Sequence, residues 1–394
     1  TCRKTNHRFT RLKGLNPVYT RQLAFMRDWI RKVIGDEPNM KRIRDSCGFS
    51  SGASIGVHGN ATNLFRKFHA EDWTVTPSAL PYVYGPLCSN EQFLARFSET
   101  RAGVSCLDLQ QAFQYIESRC RMVTFNKLGF VLKTAKTDRS IAIEPLLNSY
   151  IQKGADLELR RLLAEWGYDL SDQSRNAHLA MIGSLYEWLA TLDLSSASDC
   201  NSIGLCRYLL PRKWFSFLDA IRSPSYQLDG NTYRYEKFVS MGNGFCFPLE
   251  TLIFAAAVRA SMRHVGCQSK THAVYGDDII IPTEAYGTLV TLLRICGFIP
   301  NEAKSFATGK FRESCGADWY EGQDVRPVYL DFPLASTSAR MTFHNATLRS
   351  NRVEDFFTGV RDFLRADTPP WERLYRPRDP SRGRIYVDKS DSCS

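Results

Sequence analysis

The sequence has no hydrophobic run able to form a membrane-spanning helix: its most apolar stretch, Leu252 to Val258, is far short of the roughly 20 residues a bilayer requires. It lacks any C-x2-C pair among its twelve cysteines, and the nearest two, Cys200 and Cys206, have no matching second pair, so zinc is not expected. Its seven histidines form no H-E-x-x-H cluster, which argues against a metalloprotease. With no secretory signal within the sequence, the cysteines are expected to be reduced, mostly buried small apolar residues in a cytosol. No internal repeat is present. The first residue is Thr1 and the last four are Asp391-Ser392-Cys393-Ser394; both ends are expected to have been cut from a longer chain.

With 394 residues, 43% hydrophobic and 23% charged, the composition is that of an ordered globular protein with two or three structural units. Net charge is +10, and residues 1–45 concentrate it, with twelve Lys/Arg against four Asp/Glu. A basic excess of this kind attracts polyanions such as RNA through counterion release, or else is a solvated surface.

Leu23, Met26, Ile30, Val33 and Ile34 recur at near-helical spacing, with Arg27, Arg31 and Lys32 between them. Gly48, Gly52, Gly56 and Gly59 mark a loop that either approaches phosphate closely or simply connects surface elements. β-branched residues from Val123 to Ile143 predict extended structure around a basic middle, and Leu157 to Trp166 a helix stopped at Gly167. Glu187 to Asp193 reads as a strand, Asp199 to Leu210 as a helix, and Thr232 to Val239 as a strand entering a Met241-Gly242-Asn243-Gly244 turn. Pro248 then opens an apolar helix to about His264. Ala273 to Ile281 is a hairpin, followed by a helix near Leu289 to Cys296, strands near Lys304 to Phe306 and Val325 to Leu330, and a basic, Pro-rich tail.

The chemistry starts at Tyr275-Gly276-Asp277-Asp278. Adjacent carboxylates at a hairpin tip repel one another unless a cation is shared, and Mg²⁺ takes oxygen ligands. Asp193 ends a hydrophobic strand; if that strand pairs beside the hairpin, backbones about 4.8 Å apart let the carboxylates share two ions roughly 3.5–4 Å from each other. Taken singly, Asp193 could be a buried hydrogen-bonded aspartate and Ser198 a helix cap. Ser240, Gly242 and Asn243 offer glycine backbone and polar side chains to a ribose hydroxyl, or a plain strand-to-helix turn. Lys133, Lys136 and Arg139 recur every third residue; a strand would turn Lys136 away from the other two, whereas a polyproline-like path would align all three to clamp a triphosphate.

Together these segments resemble the replicase β subunit of the small positive-strand RNA bacteriophages, the levivirus group. The resemblance is carried, in order, by Lys-Thr-Ala-Lys-Thr-Asp-Arg at 133–139, Asp-Leu-Ser-Ser-Ala-Ser-Asp at 193–199 and Ser-Met-Gly-Asn-Gly-Phe at 240–245, then Tyr-Gly-Asp-Asp at 275–278 and Phe-Arg-Glu-Ser-Cys-Gly at 311–316. It is strong over about 120–330. It implies an α+β right-hand polymerase: fingers and amino-terminal region over 1–185, palm with an antiparallel sheet over 186–334 (a fingers insertion near 211–238), and a partial thumb over 335–394. It implies RNA-dependent RNA synthesis on a viral genome with two Mg²⁺ ions, or Mn²⁺, at Asp193, Asp277 and Asp278. Nucleotide binding falls to Lys133, Lys136, Arg139, Ser240, Gly242 and Asn243, and a general acid to Lys304. The implied partners are template RNA, NTPs, host elongation factors Tu and Ts and an RNA-binding ribosomal protein, in the cytoplasm of the bacterial host and away from membranes.

Two departures stand out. Cys246 occupies a position where threonine is expected in relatives, and the second aspartate that many RNA polymerases carry five residues after the first is here Ser198, followed by Asp199; either could contact the incoming ribose. Chains of the family are longer, so parts of fingers and thumb are expected to be missing. A reverse transcriptase shares the Tyr-x-Asp-Asp turn but excludes the 2′-hydroxyl with a bulky aromatic, and Ser198, Ser240 and Asn243 are small or polar. A non-catalytic RNA-binding protein would need only the basic amino-terminal region, and the intact carboxylates argue against it.

Overall fold

The computed structural model describes residues 1–11, 15–57, 64–99, 108–134, 137–328, 330, 334, 336–349 and 358–367. Among them the chain is α+β, with helices packed around small sheets. At its centre lies the helix Cys246–His264, in which Leu249, Leu252, Ile253, Phe254 and Val258 are all fully buried. A helix apolar on every side is a core element. It packs against the helices Pro17–Ile34, Leu146–Ala164 and Thr283–Cys296 and against the aspartate hairpin. No helix among the described residues is long and apolar enough to cross a membrane, and the ten described cysteines are all free.

One sheet positions the site. The strand Asp278–Pro282 is central, flanked by Leu189–Leu192 and Ala273–Tyr275, both antiparallel to it. Ile279, Ile280 and Ile281 are fully buried, so both faces of this central strand are covered. A second sheet pairs Thr137–Ile143 with Phe125–Thr134, then adds Ser225–Leu228 in parallel and Asn231–Arg234. Part of the segment 211–238, Ser225–Leu228 with Asn231–Arg234, thus joins the hairpin that bears Arg139. A third runs Phe311–Ser314, Ala317–Tyr320, Gln323–Asp324.

Several expected boundaries shift. The Asp199 to Leu210 helix is two, Ala197–Cys200 and Ile203–Leu209, because Ser202 caps the second at Leu205 N and Asn201 Nδ2 bonds back to the Ala197 carbonyl. The expected strand at Lys304 to Phe306 is a 3₁₀ turn, Glu302–Lys304, then a single bridge from Phe306 to Thr191. There the Ser305 hydroxyl meets the Asp193 backbone and replaces a ladder bond. Val325 makes one backbone bond to Asp318, and Pro327, lacking an N–H, ends any strand. The strand foreseen from Thr232 to Val239 stops at Arg234, and its hairpin partner Ser225–Leu228 was not foreseen. The helix Leu146–Ala164 starts well before Leu157, Thr283–Cys296 before Leu289, and Ser174–Tyr186 was unnamed. Within the carboxyl-terminal basic stretch, Thr337–Arg349 and Thr358–Ala366 are helices packed on each other, and residues 368–394 lie outside the described residues.

Candidate active site

Leu192 stands opposite Ile279 in the antiparallel ladder. Carried one residue further, the register sets Asp193 across from Asp278, and directly opposed residues project to the same face with Cβ atoms about 4.5–5.5 Å apart. Asp277 occupies the two-residue turn closed by Tyr275 and Asp278. Gly276 has a φ of 59° and Asp277 is not left-handed, the signature of a II′ hairpin. A Cβ on Gly276 would meet the Phe247 ring at 2.3 Å, and its N–H donates to Thr251 Oγ1 at 3.0 Å, so the tip sits hard against the core helix.

Asp278 Oδ1 accepts from the Cys315 N–H at 2.9 Å and Ser314 Oγ at 3.3 Å. Those donors lie at the two-residue turn Cys315-Gly316, where both φ angles are positive, as a type I′ hairpin requires. Asp193 Oδ2 accepts from Asn301 Nδ2 at 2.8 Å. Burial pushes the Asp277 and Asp278 carboxyls up, with the charge of Asp193 adding to both and that of Asp278 to Asp277. Among the described residues no three acidic, Cys or His side chains are closed to metal-holding spacing. The donor chemistry nevertheless fits a hard divalent cation: carboxylate oxygens lining one cleft, those of Asp277 and Asp278 half-buried and repelled by their neighbours.

A cleft of 790 Å³ opens above the sheet and brings together Asp193, Asp277, Asp278, Lys304, Arg139, Ser198, Asp199, Gly242 and Asn243. Arg139 partly offsets the upward shift of Asp277. Lys304 Nζ lies 3.7 Å from Glu313 Oε1. Ser240 is buried beneath the cleft and does not line it. Lys136 and the side chain of Lys133 lie outside the described residues, so the structure aligns only Arg139 of that basic trio with the aspartates.

The Ser240–Gly244 turn is held from below by Glu144, which is buried and accepts from Asn126 Nδ2 at 2.6 Å, Asn243 Nδ2 at 3.1 Å, Gln152 Nε2 at 3.1 Å and Ser223 Oγ at 3.0 Å. Asn243 Oδ1 in turn accepts the Ser240 N–H at 2.7 Å, so the Asn243 amide faces inward at both ends. Gly242, at φ 110°, comes so close to the basic hairpin that a Cβ would stand 2.1 Å from the Ala142 carbonyl oxygen, and the Ala142 N–H donates to Met241 at 2.7 Å.

Sequence reasoning passed over Glu144, Glu250, Asn301 and Glu313. Glu250 lines the cleft, is 6% exposed, and is pushed up to about 8 by burial and by Asp277, while accepting from Asn201 Nδ2 at 2.9 Å. A lone carboxylate inside the apolar Pro248–Val258 run was the signal, since a charge is buried there only with partners. Glu313 lies within the Phe-Arg-Glu-Ser-Cys-Gly motif and Asn301 three residues before Lys304, and neither carries an assigned role from sequence.

The family model for RNA replicase, beta-chain, matches residues 1–363. The chain belongs to that family. Every candidate residue from Lys133 to Lys304 falls inside the match. The RNA-directed RNA polymerase beta chain of Escherichia phage MS2 is 41% identical over 324 residues, 80% of this chain and 55% of that protein. The RNA-directed RNA polymerase subunit beta of Enterobacteria phage SP is 38% identical over 360 residues, 90% and 58% respectively. That of Escherichia virus Qbeta is 40% identical over 308 residues, covering 78% and 48%. The chain therefore spans about half the length of these replicase relatives.

Proposed function

We propose that this replicase β chain carries the catalytic centre of an RNA-dependent RNA polymerase that copies a phage RNA genome. The observation that supports the reading is that Asp193, Asp277, Asp278, Arg139 and Lys304 line one cleft, with Asp193 and Asp278 the next residues after the last ladder pair, Leu192 and Ile279. Asp193, Asp277 and Asp278 would hold two Mg²⁺ ions, which supply activation of the primer 3′-hydroxyl and charge neutralisation on the departing phosphates. The Asn301 amide bonded to Asp193 Oδ2 would orient that carboxylate while leaving lone pairs for a cation.

The remaining roles belong to side chains. Arg139 and the lysines at 133 and 136 draw in the triphosphate. Asp199 and Ser198 accept or donate to the ribose 2′-hydroxyl, and the Ser240–Gly244 turn, held by Glu144, shapes the floor beneath that ribose. Lys304 gives a proton to the leaving pyrophosphate. The division into fingers over 1–185, palm over 186–334 and a partial thumb belongs to the same reading. So do host factors Tu and Ts, a ribosomal RNA-binding protein and action in the bacterial cytoplasm.

Incubating the polymerase and its host factors with template RNA, NTPs and Mg²⁺ tests this. RNA synthesis is expected, with at least a 100-fold loss on Asp277→Asn; equal synthesis by that variant refutes it. A clear preference for dNTPs would instead identify a reverse transcriptase, and RNA binding without synthesis a non-catalytic binder.

A further inference from the structure

Asp199 lines the cleft with its side chain half exposed, and its own environment is unusually determined. It sits in the short helix Ala197–Cys200, entered through Ser196 at a left-handed φ of 52°. Cys2 Sγ donates to its carbonyl at 3.1 Å, fixing the backbone. Its Oδ1 accepts from Lys237 Nζ at 2.5 Å, and Oδ2 has no protein partner among the described residues.

Lys237 is placed with equal care. Its side chain is only 17% exposed, and its ammonium also lies 5.4 Å from the centre of the Tyr235 ring. Its backbone is pinned to the residues following Asp199: Lys237 bridges Ser202, and the Phe238 N–H donates to the Asn201 carbonyl at 2.7 Å. Lys237 is not among the residues lining the cleft, and its contact with the cleft wall is the Asp199 carboxylate it holds. A lysine so sheltered, with one carboxylate partner, locks that partner's rotamer far more firmly than an exposed pair does. It also sits three residues before Ser240, on the chain entering the turn beneath the ribose.

We propose that Lys237 is a positioning residue for ribose selection: by engaging Asp199 Oδ1 it presents Oδ2 as the acceptor for the 2′-hydroxyl of the incoming nucleotide. The inference rests on the ribose contact proposed above for Asp199. A ribonucleotide gains a charge-assisted hydrogen bond at an oxygen already held in place, and a deoxynucleotide leaves that oxygen without a donor. Releasing Lys237 lets the carboxylate rotate, and the distinction between the two sugars weakens.

The test measures kcat/KM for NTP and dNTP incorporation by the intact polymerase and takes their ratio. Asp199→Asn is expected to lower the ratio about 10- to 100-fold. Lys237→Met should lower it by a similar factor, the double variant no further, and Lys237→Arg should keep most of it. Should Lys237→Met fail to fold, Lys237→Gln, which keeps a donor but no charge, is read the same way. Reduced turnover with an unchanged ratio in the Lys237 variants, while Asp199→Asn does lower it, overturns the positioning role alone. An unchanged ratio in Asp199→Asn overturns the ribose contact and the inference together.

Discussion

Replacing Glu144 by leucine removes the acceptor at the centre of the buried network while keeping an apolar side chain of similar size. Asn126 Nδ2, Ser223 Oγ and Asn243 Nδ2 lose their bonds to it, whereas Gln152 Nε2 retains the Ile221 carbonyl at 2.9 Å. Each orphaned buried donor costs about 1–3 kcal/mol, and relief of carboxylate burial offsets part of the sum, leaving a loss of roughly 3–5 kcal/mol. Glu144→Gln keeps one acceptor oxygen for Asn126 and Asn243, and the Ser223 hydroxyl can rotate to accept; one donor facing the Gln152 amide remains, a cost of about 1–2 kcal/mol. Burial raises the Glu144 carboxyl above the ordinary glutamate range, so the native state binds that proton more tightly than the unfolded chain. Its contribution is therefore present at low pH and lost as pH rises through the native value, and the Gln variant gains on wild type in that direction. Urea unfolding followed by tryptophan fluorescence measures both effects. Identical midpoints for wild type and Glu144→Leu would falsify the argument that these donors depend on one carboxylate.

Other outcomes follow from neighbouring features. Gly276→Ala should cut RNA synthesis by 10-fold or more, because the new Cβ meets Phe247 at 2.3 Å and the φ of 59° is strained by about 1–2 kcal/mol for an L residue; steady-state incorporation assays measure it. Arg139→Ala should raise KM for NTPs about 10-fold with a smaller change in kcat, read from the same kinetics. His272, lowered to about 4 by burial, accepts at Nε2 from the Tyr168 hydroxyl, whose oxygen accepts from Arg259 Nε, so protonation breaks that chain. The unfolded chain binds this proton first, so stability should fall by up to about 3 kcal/mol as pH drops from 6.5 to 4, and His272→Phe should flatten that slope in pH-dependent unfolding.

The aspartate hairpin and the buried helix after Pro248 were legible because a two-residue turn between apolar arms and a long apolar run have few other solutions. The hairpins at Asp229-Gly230, Cys315-Gly316 and Glu321-Gly322 are X-Gly turns with both φ values positive, whereas the aspartate turn is Gly-Asp. They went unread because their arms show no apolar alternation: Asn231–Arg234 is exposed, and in Phe311–Ser314 it is Arg312 and Ser314 that are buried. The split at Asn201-Ser202 combines a local Ser202 cap with contacts from Glu250 and Phe238, distant in sequence, and only the first of these is encoded nearby. At the site, the aspartates and Arg139 were readable as charges in motifs. The inward turn of Asn243 was not, since its partner Glu144 lies 99 residues away.

The missing side chain at Gly242 has a mechanical consequence. Because Met241 and Ala142 share a backbone bond across that gap, the basic arm bearing Arg139 and the loop under the sugar form a single stiff lever. Under the proposed function, a displacement of the Arg139 arm would be passed to the Ser240–Gly244 turn, coupling a hold on the triphosphate to the seat of its ribose.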